Sequence, residues 1–174
     1  MADLLATVAV TYALVTIAVW AVDWLEPKWA VICVGGSLIP DLQKVDLLVD
    51  ADSISRALGI PFTYSHLGTL GGVLLVAGVI TVLFDRERWR RVYGLLVSGG
   101  LVHLLLDGMR VYADGQANTW LYPLLPSYRP PTPNLFVTSD PTVTVVALGV
   151  ALLVFGTDRY LRGASDPTTS VLRR

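Results

Sequence analysis

Residues 92–112 of the chain read VYGLLVSGGLVHLLLDGMRVY. The first eleven residues of this stretch carry no charge, and apart from His103 it stays uncharged up to Asp107. This length and composition predict a membrane-spanning helix. On such a helix His103 and Asp107 stand four residues apart and project from one face. Because Asp at the bilayer centre costs about 2.5–3.5 kcal/mol, we expect both side chains to face the protein interior.

The His103–Asp107 pair has two interpretations. In a chain with only two histidines, the pair is the best candidate for a functional site. It is equally consistent with a hydrogen-bonded pair that joins two helices, since polar side chains inside membranes normally find partners there. This helix alone leaves both interpretations open.

The composition points to a membrane protein. Of the 174 residues, 53% are hydrophobic and 16% are charged, and the mean hydropathy is +0.59; a soluble domain carries about 25% charged residues. The net charge of −1 provides no broad basic surface, which argues against nucleic-acid binding. The single cysteine, Cys33, excludes an intrachain disulfide and a CxxC zinc site.

Four more uncharged or apolar segments predict further helices, at residues 4–22, 29–42, 67–84 and 142–157. The second is short, and Pro40 either lies within a half-buried helix or breaks it. With the central helix, the chain is predicted to be an all-α, polytopic membrane protein of about five transmembrane helices. Residues 1–162 are predicted to form a single transmembrane domain, and residues 163–174 are predicted to form a flexible cytoplasmic tail.

Two arginine clusters predict the orientation. Residues 85–91 and 158–174 each carry four arginines, and positively charged loops remain in the cytoplasm. The N-terminus is therefore predicted outside and the C-terminus in the cytoplasm of a cell-membrane protein. Residues 112–141, with six prolines, are predicted to form an ordered extracytoplasmic cap. Residues 42–59 mix charged and apolar side chains and are predicted to lie in the interface of the bilayer.

In this topology Asp41, His66, His103 and Asp107 all fall in the extracytoplasmic half of the membrane. Two imidazoles and two carboxylates suit Zn²⁺, Mn²⁺ or Fe²⁺ better than Mg²⁺. Such an ion would activate a bound water. Without a metal, His103 could act as a base that Asp107 orients, whereas Arg110, three residues further on, could instead neutralise Asp107.

Several motifs resemble the membrane-bound metal-dependent hydrolase family, the YdjM-like inner-membrane proteins. They are GSLIPDLQKVD (36–46), IPFTYSHLGTLGG (60–72), VHLLLDG (102–108) and YPLLPSYRPPTPNLF (122–136), and the resemblance covers roughly residues 1–160. It implies metal and catalytic positions at Asp41, His103 and Asp107. The implied function is hydrolysis of a phosphoester or lipid headgroup at the bilayer by metal-activated water.

The chain departs from the family pattern at two positions. Thr7 and Gly68 stand where similar family members have histidine, and His66 lies two residues before the second position. Two residues correspond to roughly 200° of rotation on a helix. We therefore expect weak, exchangeable divalent-metal binding at most. The alternative function is that of a catalytically degenerate membrane protein with a structural or partner-binding role.

Overall fold

The computed structural model describes residues 4–137 and 140–165, and this part of the chain contains helices and irregular segments but no strand. Its β-type pairing is limited to two isolated bridges. The predicted all-α class is confirmed for these residues. The α-helices are α1 (Leu4–Ala21), α2 (Pro27–Gly36), α3 (Ala51–Leu58), α4 (Leu70–Thr81), α5 (Trp89–Met109) and α6 (Pro141–Ser165). The 3-10 helices are Ile39–Leu47, Tyr64–Gly68 and Arg86–Arg88.

Three helices are long and apolar enough to cross a membrane, at Leu4–Ala21, Arg86–Met109 and Pro141–Gly163. The other two predicted spans are shorter, since α2 has 10 residues and α4 has 12. At about 1.5 Å per residue, neither covers a hydrocarbon core of about 30 Å. Three of the five predicted spans therefore have the required length, and the count of five is not confirmed.

Helices α2 and α5 pack with their backbones in contact. Gly36 of α2 lies so close to the carbonyl of Leu96 that a Cβ there would overlap its oxygen. Gly99 of α5 lies equally close to the carbonyl of Cys33. Small residues allow such an approach between helices. This contact brings the end of α2 beside the middle of α5, one turn before His103.

Helix α2 ends at Gly36, and a 3-10 helix, Ile39–Leu47, follows it. Ser37 donates its backbone N–H to the carbonyls of Cys33 and Val34, and Pro40 lacks the N–H that an α-helix would need there. The structure thus settles the choice left open at Pro40 in favour of a broken helix. Asp41 lies at the start of the 3-10 helix and is only 9% exposed.

Helix α1 packs against α6 through small side chains, Ala6 and Ala9 against Ala147. Thr7, which occupies a histidine position of the family pattern, is fully buried on α1. Helix α6 includes residues 163–165 of the predicted tail, and residues 166–174 lie outside the described part of the chain.

The predicted interfacial segment lies on the surface. Helix α3 has no buried residue, and Leu47, Leu48 and Leu58 are 84%, 86% and 60% exposed. The Asp50 side chain caps α3 by accepting from the N–H groups of Asp52 and Ser53. The result is a short amphipathic segment that exposes leucines beside its charges.

The proline-rich loop, described over residues 110–137, caps the start of α4. The N–H groups of Leu70 and Gly71 donate to the carbonyls of Trp120 and Tyr122, at 2.7 and 2.8 Å. These bonds satisfy donors that the first turn of a helix leaves unpaired. The loop therefore anchors one end of α4, as the sequence predicts for an ordered cap.

Candidate functional site

His103 lies in the interior of the helix bundle. Its side chain is 0% exposed, and its Nδ1 lies 2.7 Å from the backbone carbonyl oxygen of Ser37. A carbonyl can only accept, so Nδ1 carries a proton and donates it. The bond fixes the plane of the imidazole ring and directs Nε2 towards Asp107.

Asp107 lies between His103 and Arg110. Its Oδ2 is 3.6 Å from His103 Nε2, and its Oδ1 is 3.6 Å from Arg110 Nη1. These distances exceed ordinary hydrogen bonds and correspond to close ionic contacts. Arg110 is itself 8% exposed, and its guanidinium lies over the Tyr112 ring. One carboxylate thus faces an imidazole on one side and a buried guanidinium on the other.

Asp41 pairs with a different cation. Lys44, one turn further along the 3-10 helix, places its Nζ 2.7 Å from Asp41 Oδ1. The Asp41 side chain is 8% exposed. The sequence predicts that Asp41 shares a cluster with His103 and Asp107, and in the structure Lys44, the partner of Asp41, lines the same cavity as Asp107.

A polar cavity of about 250 Å³ connects the two ion pairs. Lys44 lines it from the 3-10 helix, and Asp107 and Arg110 line it from the end of α5. Asp41 and His103 do not line the cavity themselves, but each contacts a residue that does. The lining residues are Gln43, Lys44, Asp46, Leu47, Asp107, Arg110 and Asn118.

Several buried polar atoms around this cavity have no hydrogen-bond partner among the described residues. They include His103 Nε2, Arg110 Nη1 and Asp41 Oδ2. Buried polar groups in native proteins are almost always paired, because an unpaired group costs about 1–3 kcal/mol. Of these three atoms, only Arg110 Nη1 belongs to a residue that lines the cavity, so it is the one that a polar ligand in the cavity would use.

His66 lies apart from this cluster. It is exposed on the 3-10 helix Tyr64–Gly68, and its ring stacks on Tyr122 with 4.6 Å between the ring centroids. It does not line the cavity. Of the four predicted ligands, Asp107 lines the cavity and Asp41 and His103 each contact a residue that does, whereas His66 belongs to the contact between the loop and the 3-10 helix Tyr64–Gly68.

The cluster does not fit the divalent metal that the family resemblance implies. Within residues 4–137 and 140–165, no three side chains of the His, Cys, Asp and Glu types converge to hold an ion. Lys44 and Arg110 already pair with the two carboxylates. A metal ion would have to compete with both cations for these ligands.

The sequence interpretation missed two features of the site. Lys44 follows Asp41 by three residues, a spacing that favours ion pairs on helical segments and could have been noticed. The role of the Ser37 carbonyl cannot be predicted from the residue type, because every residue provides a backbone carbonyl. Comparison of the chain with protein-family models, curated proteins and solved structures gives no match, so the family resemblance rests on the quoted motifs.

Proposed function

We propose that this protein is a multi-pass membrane protein with five membrane segments, its N-terminus outside and its C-terminus in the cytoplasm. The three long apolar helices support the membrane assignment. We count helices α2 and α4 as two further, shorter membrane segments, because they contribute Cys33 and Val73 to the buried core around α5. The arginines at residues 86–91 support the orientation.

Cysteine labelling tests this topology. In a Cys33→Ser background, Asn134→Cys is expected to react with a membrane-impermeant maleimide from the outside of intact cells, because residue 134 lies exposed on the proline-rich loop. Arg88→Cys is expected to react only after permeabilisation. Labelling of Asn134→Cys from the cytoplasmic side alone would contradict the orientation and the location of the cavity.

We infer that the polar cluster is a hydrolytic site for a phosphoester or lipid headgroup. The observation that carries this inference is the fixed His103 ring, whose Nδ1–H is held by Ser37 and whose Nε2 faces Asp107. Asp107 lines the cavity and can accept a proton from a nucleophilic water there, while the fixed imidazole behind it positions and stabilises the carboxylate. Lys44 and Arg110 provide positive charge at the same cavity for the oxygens of a phosphoryl group.

Divalent-metal binding stays a prediction from the family resemblance. It is expected to be weak and exchangeable, because two cations already pair with the carboxylates. A metal held there would supply an activated water. In the proposed site that water is instead deprotonated at Asp107, which lines the cavity.

Hydrolysis assays combined with metal analysis test this function. Wild-type protein purified without chelator is expected to hydrolyse phosphoester or lipid substrates without stoichiometric metal. Asp107→Asn is expected to lower turnover by about 100-fold or more, because an amide cannot accept the proton of the nucleophilic water. Stoichiometric metal in wild type, lost together with turnover in Asp107→Asn, would instead support a metalloenzyme.

One observation favours the second candidate, a catalytically degenerate structural protein. The bond from His103 to the Ser37 carbonyl links the middle of α5 to the end of α2. Such a bond stabilises a membrane bundle without any chemistry. Absence of turnover in wild type, with a large loss of stability on replacing His103, would support this candidate.

A further inference from the structure

The cavity carries charges of both signs. Lys44 and Arg110 are its cations, and Asp46 and Asp107 are its carboxylates. Arg110 is more than nine-tenths buried, and its Nη1 lies in ionic contact with Asp107 Oδ1 at 3.6 Å but makes no hydrogen bond among the described residues. The Asp46 Oδ1 accepts from the N–H of Ala51 at 3.2 Å, and a carboxylate has room for further donors. The cavity therefore offers both donors and acceptors to a bound molecule.

This charge pattern selects among ligand classes. A simple anion would meet two carboxylates, and a simple cation would meet Lys44 and Arg110, so each would lose much of its attraction to repulsion. A ligand with a phosphate and an ammonium group can place each charge beside its opposite. A volume of about 250 Å³ is slightly below the range for drug-sized ligands, about 300–1,000 Å³, and suits a small headgroup.

The surroundings of the cavity indicate a lipid source for such a ligand. Leu47 lines the cavity and is 84% exposed, and Leu48 beside it is 86% exposed. Both belong to the amphipathic surface segment that leads into α3. Exposed leucines beside charged residues are typical of segments that lie at the bilayer interface, where acyl chains cover the apolar side chains.

We propose that this cavity binds the headgroup of an aminophospholipid. The phosphate lies against Lys44 and Arg110, and the primary ammonium donates hydrogen bonds to Asp46 and Asp107. A primary ammonium provides three donors, which the methylated ammonium of a choline headgroup lacks. This inference rests on the proposed function, since it names the substrate class of the same cavity, but it concerns binding and does not require turnover.

Binding of short-chain lipids to the full-length protein in mild detergent tests the proposal. The probes are dihexanoyl phosphatidylethanolamine, phosphatidylcholine and phosphatidylglycerol, with free phosphoethanolamine as the soluble source of the same chemistry. We expect the ethanolamine lipid to bind at least about tenfold more tightly than each of the other three probes. Asp46→Asn is expected to remove the preference for ethanolamine over glycerol lipids, and Lys44→Gln is expected to weaken binding of both.

Asp52→Asn is the matched control, because Asp52 is an exposed acid of the same surface segment outside the cavity. It is expected to leave the lipid preference unchanged. Asp46 is also exposed, so its variant is expected to fold even if Lys44→Gln does not. Equal binding of the three lipids, tighter binding of free phosphoethanolamine, or an unchanged preference in Asp46→Asn would overturn the proposal.

The binding assay separates this proposal from the hydrolase. Ethanolamine-lipid binding without hydrolysis of any substrate would keep the headgroup site and reject the hydrolytic function. Hydrolysis of a soluble phosphoester without any lipid preference would contradict the proposed headgroup binding and would still support the proposed hydrolytic function.

Discussion

Replacing His103 with alanine is expected to abolish hydrolysis and to lower the free energy of unfolding by about 2–4 kcal/mol. The substitution removes a fully buried side chain and leaves the Ser37 carbonyl without its 2.7 Å partner. It also leaves Asp107 without its imidazole neighbour. Thermal unfolding in detergent and the hydrolysis assay measure the two effects separately.

The other histidine of the chain is the matched control. His66 is exposed and contacts the Tyr122 ring, so His66→Ala is expected to cost less than about 1 kcal/mol and to retain activity. Loss of activity in His66→Ala with full activity in His103→Ala would place the chemistry outside the cluster described above. An unchanged melting temperature in His103→Ala would contradict the role of the Ser37 bond.

Replacing Gly99 with alanine is expected to destabilise the protein by about 2–4 kcal/mol. A Cβ at this position would overlap the carbonyl oxygen of Cys33 and would lie 2.7 Å from the Ser37 nitrogen. Both atoms belong to the backbone, so the clash is relieved only if α2 moves away from α5. Such a movement would also draw the Ser37 carbonyl away from His103, and we expect hydrolytic activity to fall together with stability.

Gly94 provides the comparison on the same helix. A Cβ at Gly94 has nothing within 4 Å, and alanine stabilises a helix interior by about 0.5–1 kcal/mol relative to glycine. Gly94→Ala is therefore expected to be neutral or slightly stabilising. Equal melting temperatures for Gly94→Ala and Gly99→Ala would show that α2 and α5 do not pack through their backbones.

Much of the architecture follows from local sequence patterns. The three long spans are recognisable because a membrane helix needs only length and low charge, and both are properties of consecutive residues. The contact between His103 and Asp107 is predictable because residues four apart share one face of a helix. The break at Pro40 was one of two alternatives that the sequence left open, and the structure decides in its favour.

The shorter helices were harder to predict. The sequence shows an uncharged run from residue 67 to residue 84, but the α-helix covers only Leu70–Thr81. Thr69 caps this helix at its first turn and accepts from the N–H of Gly72. Residues 64–68 form a separate 3-10 helix, which carries His66 towards Tyr122 and away from the cavity.

Local sequence patterns are enough to predict the all-α class, the long apolar helices and the pairing of His103 with Asp107. The tertiary structure alone decided that Ser37 holds the imidazole, that Lys44 and Arg110 meet at one cavity, and that His66 lies elsewhere. The two groups of features differ because the interactions behind them act over different separations along the chain. Hydropathy and helical spacing act between neighbours in the chain, whereas the His103–Ser37 bond joins residues 66 positions apart and depends on the glycine contacts that bring α2 against α5.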